Sequence, residues 1–197
     1  AVKASVGHQS MVADRDAQDR DDVEDDGQRH VGPGQPPAPH RRGNGGQRQQ
    51  PFDLDPDPAL PWKSMVEATQ LTLSVLDELG LKAFLKTSGG KGLQIYVRIA
   101  PEYGFGDVRR AALAFAREVE RRLPDDITTT WWRKDRPPDA VFVDYNQNAR
   151  DHTIAAAYSV RGTPEGRVSA PLRWDEIDDA EPDDFTIATM PARFAEL

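Results

Sequence analysis

The sequence has no cysteine. Disulfide frameworks, cysteine-zinc sites and thiol catalysis are therefore excluded, and the lack of disulfides fits a reducing cytoplasm. A second shortage is local. Residues 1–50 contain no Leu, Ile, Phe, Trp or Tyr and are rich in Gly, Pro, Gln, Arg and Asp. Such a stretch cannot bury enough apolar surface to offset the entropy of ordering it, so a disordered or non-native N-terminal segment is expected over 1–50. The chain begins on Ala1 rather than Met, which suggests trimming, processing or a fragment. A natural flexible arm and a misread 5′ coding region both account for the change of composition near Gln50. Also missing are a membrane-length apolar run and a secretory apolar region, so no membrane partner is expected. Excess positive charge is absent too: the formal net charge is -8. That argues against a general nucleic-acid binder, which is usually basic. It leaves room for an enzyme whose carboxylates are neutralised by metal and whose cations are clustered.

From residue 51 the pattern becomes regular, and residues 51–197 hold nearly all the large apolar side chains. Phe52-Asp53-Leu54-Asp55 alternates apolar and acidic residues before Pro56, which predicts a short strand end with both carboxylates on one face. Met65, Val66, Leu73, Val75, Leu76 and Leu79 recur at helical spacing, and Gly80 supplies a stop. Ala83–Thr87 and Leu93–Ile99 read as strands around the turn Ser88-Gly89-Gly90-Lys91-Gly92. A second helix is expected from about Asp107, its N-cap, to Arg122, with Pro124 just beyond. Thr128–Trp132 and Ala140–Tyr145 are strand-prone. Past these, the proline-bearing tail predicts an irregular wrap that does not extend the sheet. Strands and helices in this order indicate an α/β or α+β fold with a mixed, mainly antiparallel sheet flanked by helices.

Four constellations carry chemistry. Asp53 and Asp55, two apart on a strand, project the same way about 6–7 Å apart. They can share hard divalent cations, although an exposed acidic turn is the commoner meaning of an isolated Asp-x-Asp. Asp144 ends the apolar run Phe142-Val143, where a buried charge needs a partner or a metal; a solvent-facing strand end explains it equally. Together the carboxylates suit two-metal chemistry on a triphosphate. In the glycine turn, backbone amides, the Ser88 hydroxyl and Lys91 can meet an anion, but the spacing is not that of the common NTPase loop, and a plain hairpin accounts for the glycines. The segment from Asn146 to Arg161 is dense in donors, among them Gln147, Asn148, Arg150, His152, Ser159 and Arg161, and can hold triphosphate or template backbone or simply be solvated. Trp131-Trp132-Arg133-Lys134 sets aromatics beside cations, as base-stacking surfaces do, although core tryptophans beside a charged turn are the commoner meaning of such a run.

Asp53-Leu54-Asp55-Pro56, then Lys86–Leu93, then Phe142-Val143-Asp144-Tyr145-Asn146-Gln147-Asn148, then Thr153–Ala156 with Tyr158–Arg161, follow an order and spacing that resemble the polymerase domain of bacterial DNA ligase D. That domain belongs to the archaeo-eukaryotic primase superfamily, and the likeness is greatest to its stand-alone actinobacterial versions. The resemblance covers about residues 51–197. It implies an α+β primase-polymerase core with a recognition-motif-like sheet, and Mg²⁺ or Mn²⁺ held by Asp53, Asp55 and Asp144. Ser88, Lys91 and Arg161 would hold the incoming triphosphate, with Gln147 nearby. The implied activity is nucleotide addition to DNA ends and short gaps in end-joining repair. Its implied partners are gapped or broken DNA, nucleoside triphosphates, a DNA ligase and an end-binding protein, in the cytoplasm at the nucleoid. Two departures qualify this. Family members usually carry His at Gln94, and a glutamine can donate only a neutral hydrogen bond to the triphosphate, which predicts weaker nucleotide binding or slower transfer. Residues 1–50 also show none of the aromatic and basic N-terminal subdomain that the family places before its first carboxylates, so 51–197 reads as a partial catalytic domain. A catalytically silent nucleotide- or DNA-binding member is the alternative, and a small metal-dependent phosphatase or nuclease fits the motif order less well.

Overall fold

A computed structural model describes residues 48–147 and 152–196. The disorder expected before Arg48, and the donors Asn148 and Arg150, lie outside the described residues. Strand β1 (Arg48–Pro56) is central. It extends the short strand expected around Phe52, beginning three residues before the boundary that composition suggests. On one side β1 pairs antiparallel with β3 (Leu93–Ile99), and on the other with β5 (Val141–Asp144). Beyond β3 lies β2 (Ala83–Thr87), then β6 (Pro171–Leu172); beyond β5 lies β4 (Ile127–Thr128). The six-stranded order is β4-β5-β1-β3-β2-β6, with only β4 and β5 parallel. The mixed, mainly antiparallel sheet and its flanking helices are those the sequence predicts.

Side-chain alternation divides the two sheet faces. In one register row Leu93 and Val143 flank Leu54, and in the next Leu85, Ile95 and Phe52 lie side by side. These residues are buried with helices α1 (Trp62–Glu78) and α2 (Phe105–Arg122), through Met65, Val75 and Leu76 of the first and Phe115, Ala116 and Val119 of the second. Phe52 and Phe115 meet with ring centroids 4.8 Å apart. Helix α1 ends as expected: Gly80 adopts φ +68°, and the Leu81 amide donates back to the Leu76 carbonyl at 2.9 Å. Only a residue without a β-carbon takes that left-handed turn without strain. The Arg122 guanidinium then grips both oxygens of Glu78 at 2.6 and 2.7 Å, tying the C-terminal ends of the two helices together.

Three local expectations change. Asp107 is not the N-cap of α2: the helix starts two residues earlier behind Gly104, and Asp107 sits in its first turn, bonded to Arg110. The strand-prone run from Thr128 leaves the sheet at once, because Arg136 holds the Thr130 and Trp131 carbonyls at 3.0 and 2.9 Å. The tail does extend the sheet. Pro171, which lacks an amide to donate, is tolerated on the two-residue edge strand β6. Single-turn 3-10 segments and a short C-terminal helix, α3 (Met190–Glu196), follow. Trp62 Nε1 donates to the Ala180 carbonyl at 2.5 Å and Trp174 Nε1 to that of Ala83 at 3.3 Å, fastening the tail to α1 and β2. No helix among the described residues is long and apolar enough to cross a membrane.

Leu54 has no solvent exposure and sits at the middle of the central strand. Leu54→Ala is expected to destabilise the protein by about 3–5 kcal/mol through lost burial and the cavity left behind, read as a shift of the urea midpoint.

Candidate active site

The face of the sheet away from α1 and α2 carries a polar row across four strands. Asp53 on β1 stands opposite Asp144 on β5 and opposite Gln94 on β3, and Gln94 stands opposite Lys86 on β2. All four are buried. Gln94 Nε2 donates to Asp53 Oδ2 at 2.9 Å, while Lys86 Nζ donates to Gln94 Oε1. An ammonium can only donate and a carboxylate only accept, so one orientation of the amide satisfies both neighbours. Lys86 Nζ is held from its other side by Ser169 Oγ at 2.6 Å, and that hydroxyl donates to the Thr87 carbonyl at 2.8 Å. Asp144 Oδ1 accepts the Asn146 amide and Oδ2 the Gln147 side-chain amide, both at 2.8 Å.

Asp55 follows on the same face of β1, opposite Phe142 and nearer solvent. Above Phe142, the Arg136 guanidinium lies 3.4 Å from the ring centroid, and its charge acts on Asp55 and Asp144. Across a cleft of about 320 Å³ the glycine turn faces the carboxylates, together with Lys91, Arg161 and the run Thr153-Ile154-Ala155. Ser88 Oγ accepts the amides of Gly90 and Gly92 at 3.1 and 3.2 Å, which curls the loop. Gly92 must be glycine because a β-carbon there would stand 2.4 Å from the Leu54 carbonyl and 3.4 Å from Asp55 Oδ1. At Gly89, φ is +72° and a β-carbon would meet Arg161 Cγ at 2.6 Å. The turn is thereby seated directly on the carboxylate strand, with Arg161 laid over it. Among the described residues neither Lys91 nor Arg161 has a carboxylate partner.

Burial raises the cost of ionising each of the three carboxylates, and repulsion between them adds to it for Asp53 and Asp55. Burial, then Asp55, pushes Asp53 up to about 7 against the Gln94 hydrogen bond. Desolvation and then Asp144 raise Asp55, opposed by Arg136 and Arg133. Asp144 is raised by burial, offset by the Asn146 amide, the Gln147 side chain and the nearby His152 and Arg136. Burial lowers the Lys86 ammonium to about 8 despite Asp53. Among the described residues no three acidic or histidine side chains already converge into a cation cage. The donor set nevertheless fits a hard divalent ion: all the donors are carboxylate oxygens, and Asp53 Oδ1 is buried without any hydrogen-bond partner. Asp53, Asp55 and Asp144 are the residues that could hold one.

The structure therefore brings Asp53, Asp55, Gln94, Ser88, Lys91 and Arg161 around one cleft, with Asp144 standing opposite Asp53 on the adjoining strand and Gln147 hydrogen-bonded to Asp144. Gln94 does not aim its amide freely at the cleft, since both ends are engaged by Asp53 and Lys86. Three participants escape the sequence reading. Lys86 was legible in principle, because it shares strand parity with the site face, two residues before Ser88. Ser169 and Arg136 carry no local signal and arrive only by tertiary folding.

Comparison with known proteins adds to this geometry. Residues 37–197 match the family model described as LigD, primase-polymerase domain. Over 147 residues the chain is 43% identical to the multifunctional non-homologous end joining protein LigD of Pseudomonas aeruginosa, covering 74% of this chain and 17% of that protein. It is 34% identical over 141 residues to the bifunctional LigD of Bacillus subtilis, covering 71% and 23% respectively. The solved polymerase domain from Mycobacterium tuberculosis Ligase D, in complex with DNA, superposes with a TM-score of 0.69 at 31% identity, over 75% of this chain and 51% of that one. The chain thus spans a fraction of the length of these relatives.

Two outcomes test the site's energetics. A carboxyl whose pKa is higher folded than unfolded binds its proton more tightly in the native state, so metal-free stability should fall as pH rises from about 4 to about 7, where Asp53 ionises. Asp53→Asn removes that penalty and should raise metal-free stability by roughly 1–3 kcal/mol at pH 8, with little effect at pH 4, measured by thermal denaturation at both values. Gly92→Ala should cost about 1–3 kcal/mol by forcing the turn off β1, visible as a lower melting temperature.

Proposed function

Because the chain belongs to the LigD primase-polymerase domain family, we propose that it is a metal-dependent nucleotidyltransferase that extends DNA ends and fills short gaps in non-homologous end joining repair. The observation that carries this reading is the placement of Asp53 directly opposite Asp144, with Asp53 and Asp55 across a cleft from a glycine turn flanked by two cations that have no carboxylate partner among the described residues. Asp53, Asp55 and Asp144 would hold Mg²⁺ or Mn²⁺. Such ions supply, when bound, the positive charge that eases deprotonation of a DNA 3′-hydroxyl and neutralises a triphosphate.

The chain's own residues do the positioning, which in phosphoryl transfer is most of the work. Lys91, Arg161 and the Ser88 hydroxyl grip the triphosphate from the far wall of the cleft. Lys86, acting through Gln94, fixes the rotamer of Asp53. Gln147 and the Asn146 amide fix Asp144 in the same way. Partners on this reading are gapped or broken DNA, nucleoside triphosphates, a DNA ligase and an end-binding protein, met in the cytoplasm at the nucleoid.

A second reading, a member that binds nucleotide without turning it over, is favoured by Gln94, whose neutral amide is spent on Asp53 and Lys86. Primer extension with Mn²⁺ on a gapped duplex bearing a 5′-phosphate separates the two. Templated extension is expected, reduced by roughly two orders of magnitude or more in Asp144→Asn, as follows when a charge-stabilising group is lost. No extension despite metal-dependent nucleotide binding would instead establish the silent member.

A further inference from the structure

The face that carries the carboxylate row continues past it. Two residues along the strands, the next register row holds Phe84, Tyr96 and Pro51, and beyond Tyr96 on β3 stands Arg98. Along this row exposure rises towards the sheet edge: Pro51 is buried, Tyr96 is half-buried, and Phe84 is 37% exposed, a large fraction for a phenylalanine on a strand. Cations surround the two rings. Arg98 Cζ lies 4.8 Å and Lys82 Nζ 5.8 Å from the Phe84 ring centroid, and Lys86 Nζ lies 5.6 Å from that of Tyr96. Arg98 and Lys82 are exposed, and no carboxylate among the described residues pairs with either.

We propose that this partly exposed stretch of the sheet face is a stacking platform for single-stranded DNA, with Phe84 and Tyr96 meeting bases and Arg98 and Lys82 meeting phosphates. Side-by-side aromatics with unpaired cations at their edge suit a strand that alternates flat apolar bases and anionic phosphates. An apolar protein partner would leave both charges unsatisfied, whereas a phosphodiester satisfies them. The platform also has a fixed place. It adjoins the row of Asp53 and Gln94 at about 6–7 Å along the strands, close to one nucleotide step, so a strand lying on it runs directly into the cleft. That the occupant is DNA rests on the polymerase reading; the surface itself does not.

The test is anisotropy of a fluorescein-labelled single-stranded DNA titrated with the full chain. Phe84→Ala should weaken binding about 5- to 100-fold, the usual loss for one base stack. Phe84→Leu, which keeps apolar bulk without a π face, should weaken it too, while Phe84→Trp retains it. Arg98→Ala should make the dependence of log affinity on log salt shallower by about 0.7, one phosphate's worth for a single strand. Mn²⁺-dependent binding of a free nucleoside triphosphate, read in the same variants, should persist. Strand affinity indifferent to Phe84 and Arg98, or absent in the unaltered chain, overturns the platform even if primers are extended. Strand binding that depends on Phe84 without any primer extension upholds the platform and removes the polymerase.

Discussion

The structure turns on the antiparallel register of β1 against β5, which sets Asp53 opposite Asp144. Two like charges facing each other across a strand pair are unfavourable in themselves. What imposes the pairing is the other side of the same strands, where Leu54 lies between Val143 and Leu93 with essentially no exposure on any of the three. A slip of one residue would drive the carboxylates into the helices and the leucine into water, so the core enforces the contact on which the proposed chemistry rests.

Around that contact the chain assembles partial compensation. Lys86 is near enough to help Asp53, yet it reaches the carboxylate only through the Gln94 amide. Arg136 and Arg133 temper Asp55 from above, and the amides of Asn146 and Gln147 temper Asp144. The compensation stops short, for Asp53 remains raised to about 7 and keeps one oxygen without a partner. Incomplete neutralisation is what a site prepared for added positive charge should show, and full pairing by protein side chains would leave nothing for a cation to do.

Much of this was legible in the chain itself. The alternation at Phe52-Asp53-Leu54-Asp55 gave strand and face together, and the helical recurrence from Met65 to Leu76 gave α1 down to its glycine stop. Boundaries failed where distant groups intervene. The β-prone run after Thr128 is pulled out of the sheet by the guanidinium of Arg136, and β6 exists because Thr87 and the Val168–Ala170 segment bond across more than eighty residues of chain. Asp107 has the right chemistry for a cap, but the helix starts two residues before it, behind the extended backbone of Gly104.

The sequence by itself determined that two carboxylates share a face, that a third ends an apolar strand, and that a glycine turn with a lysine lies between them in order, because these follow from the period of a strand and the local demands of a turn. Only the tertiary structure decided that Asp144 faces Asp53, that Gln94 is wedged between Asp53 and Lys86, that Gly92 is pressed onto the Leu54 carbonyl, and that Phe84 and Tyr96 stand side by side in the row next to the carboxylates. Each of those is a matter of register between strands far apart in the chain. Register is chosen by the packing of the buried face, where residues contribute together, and no single motif records it.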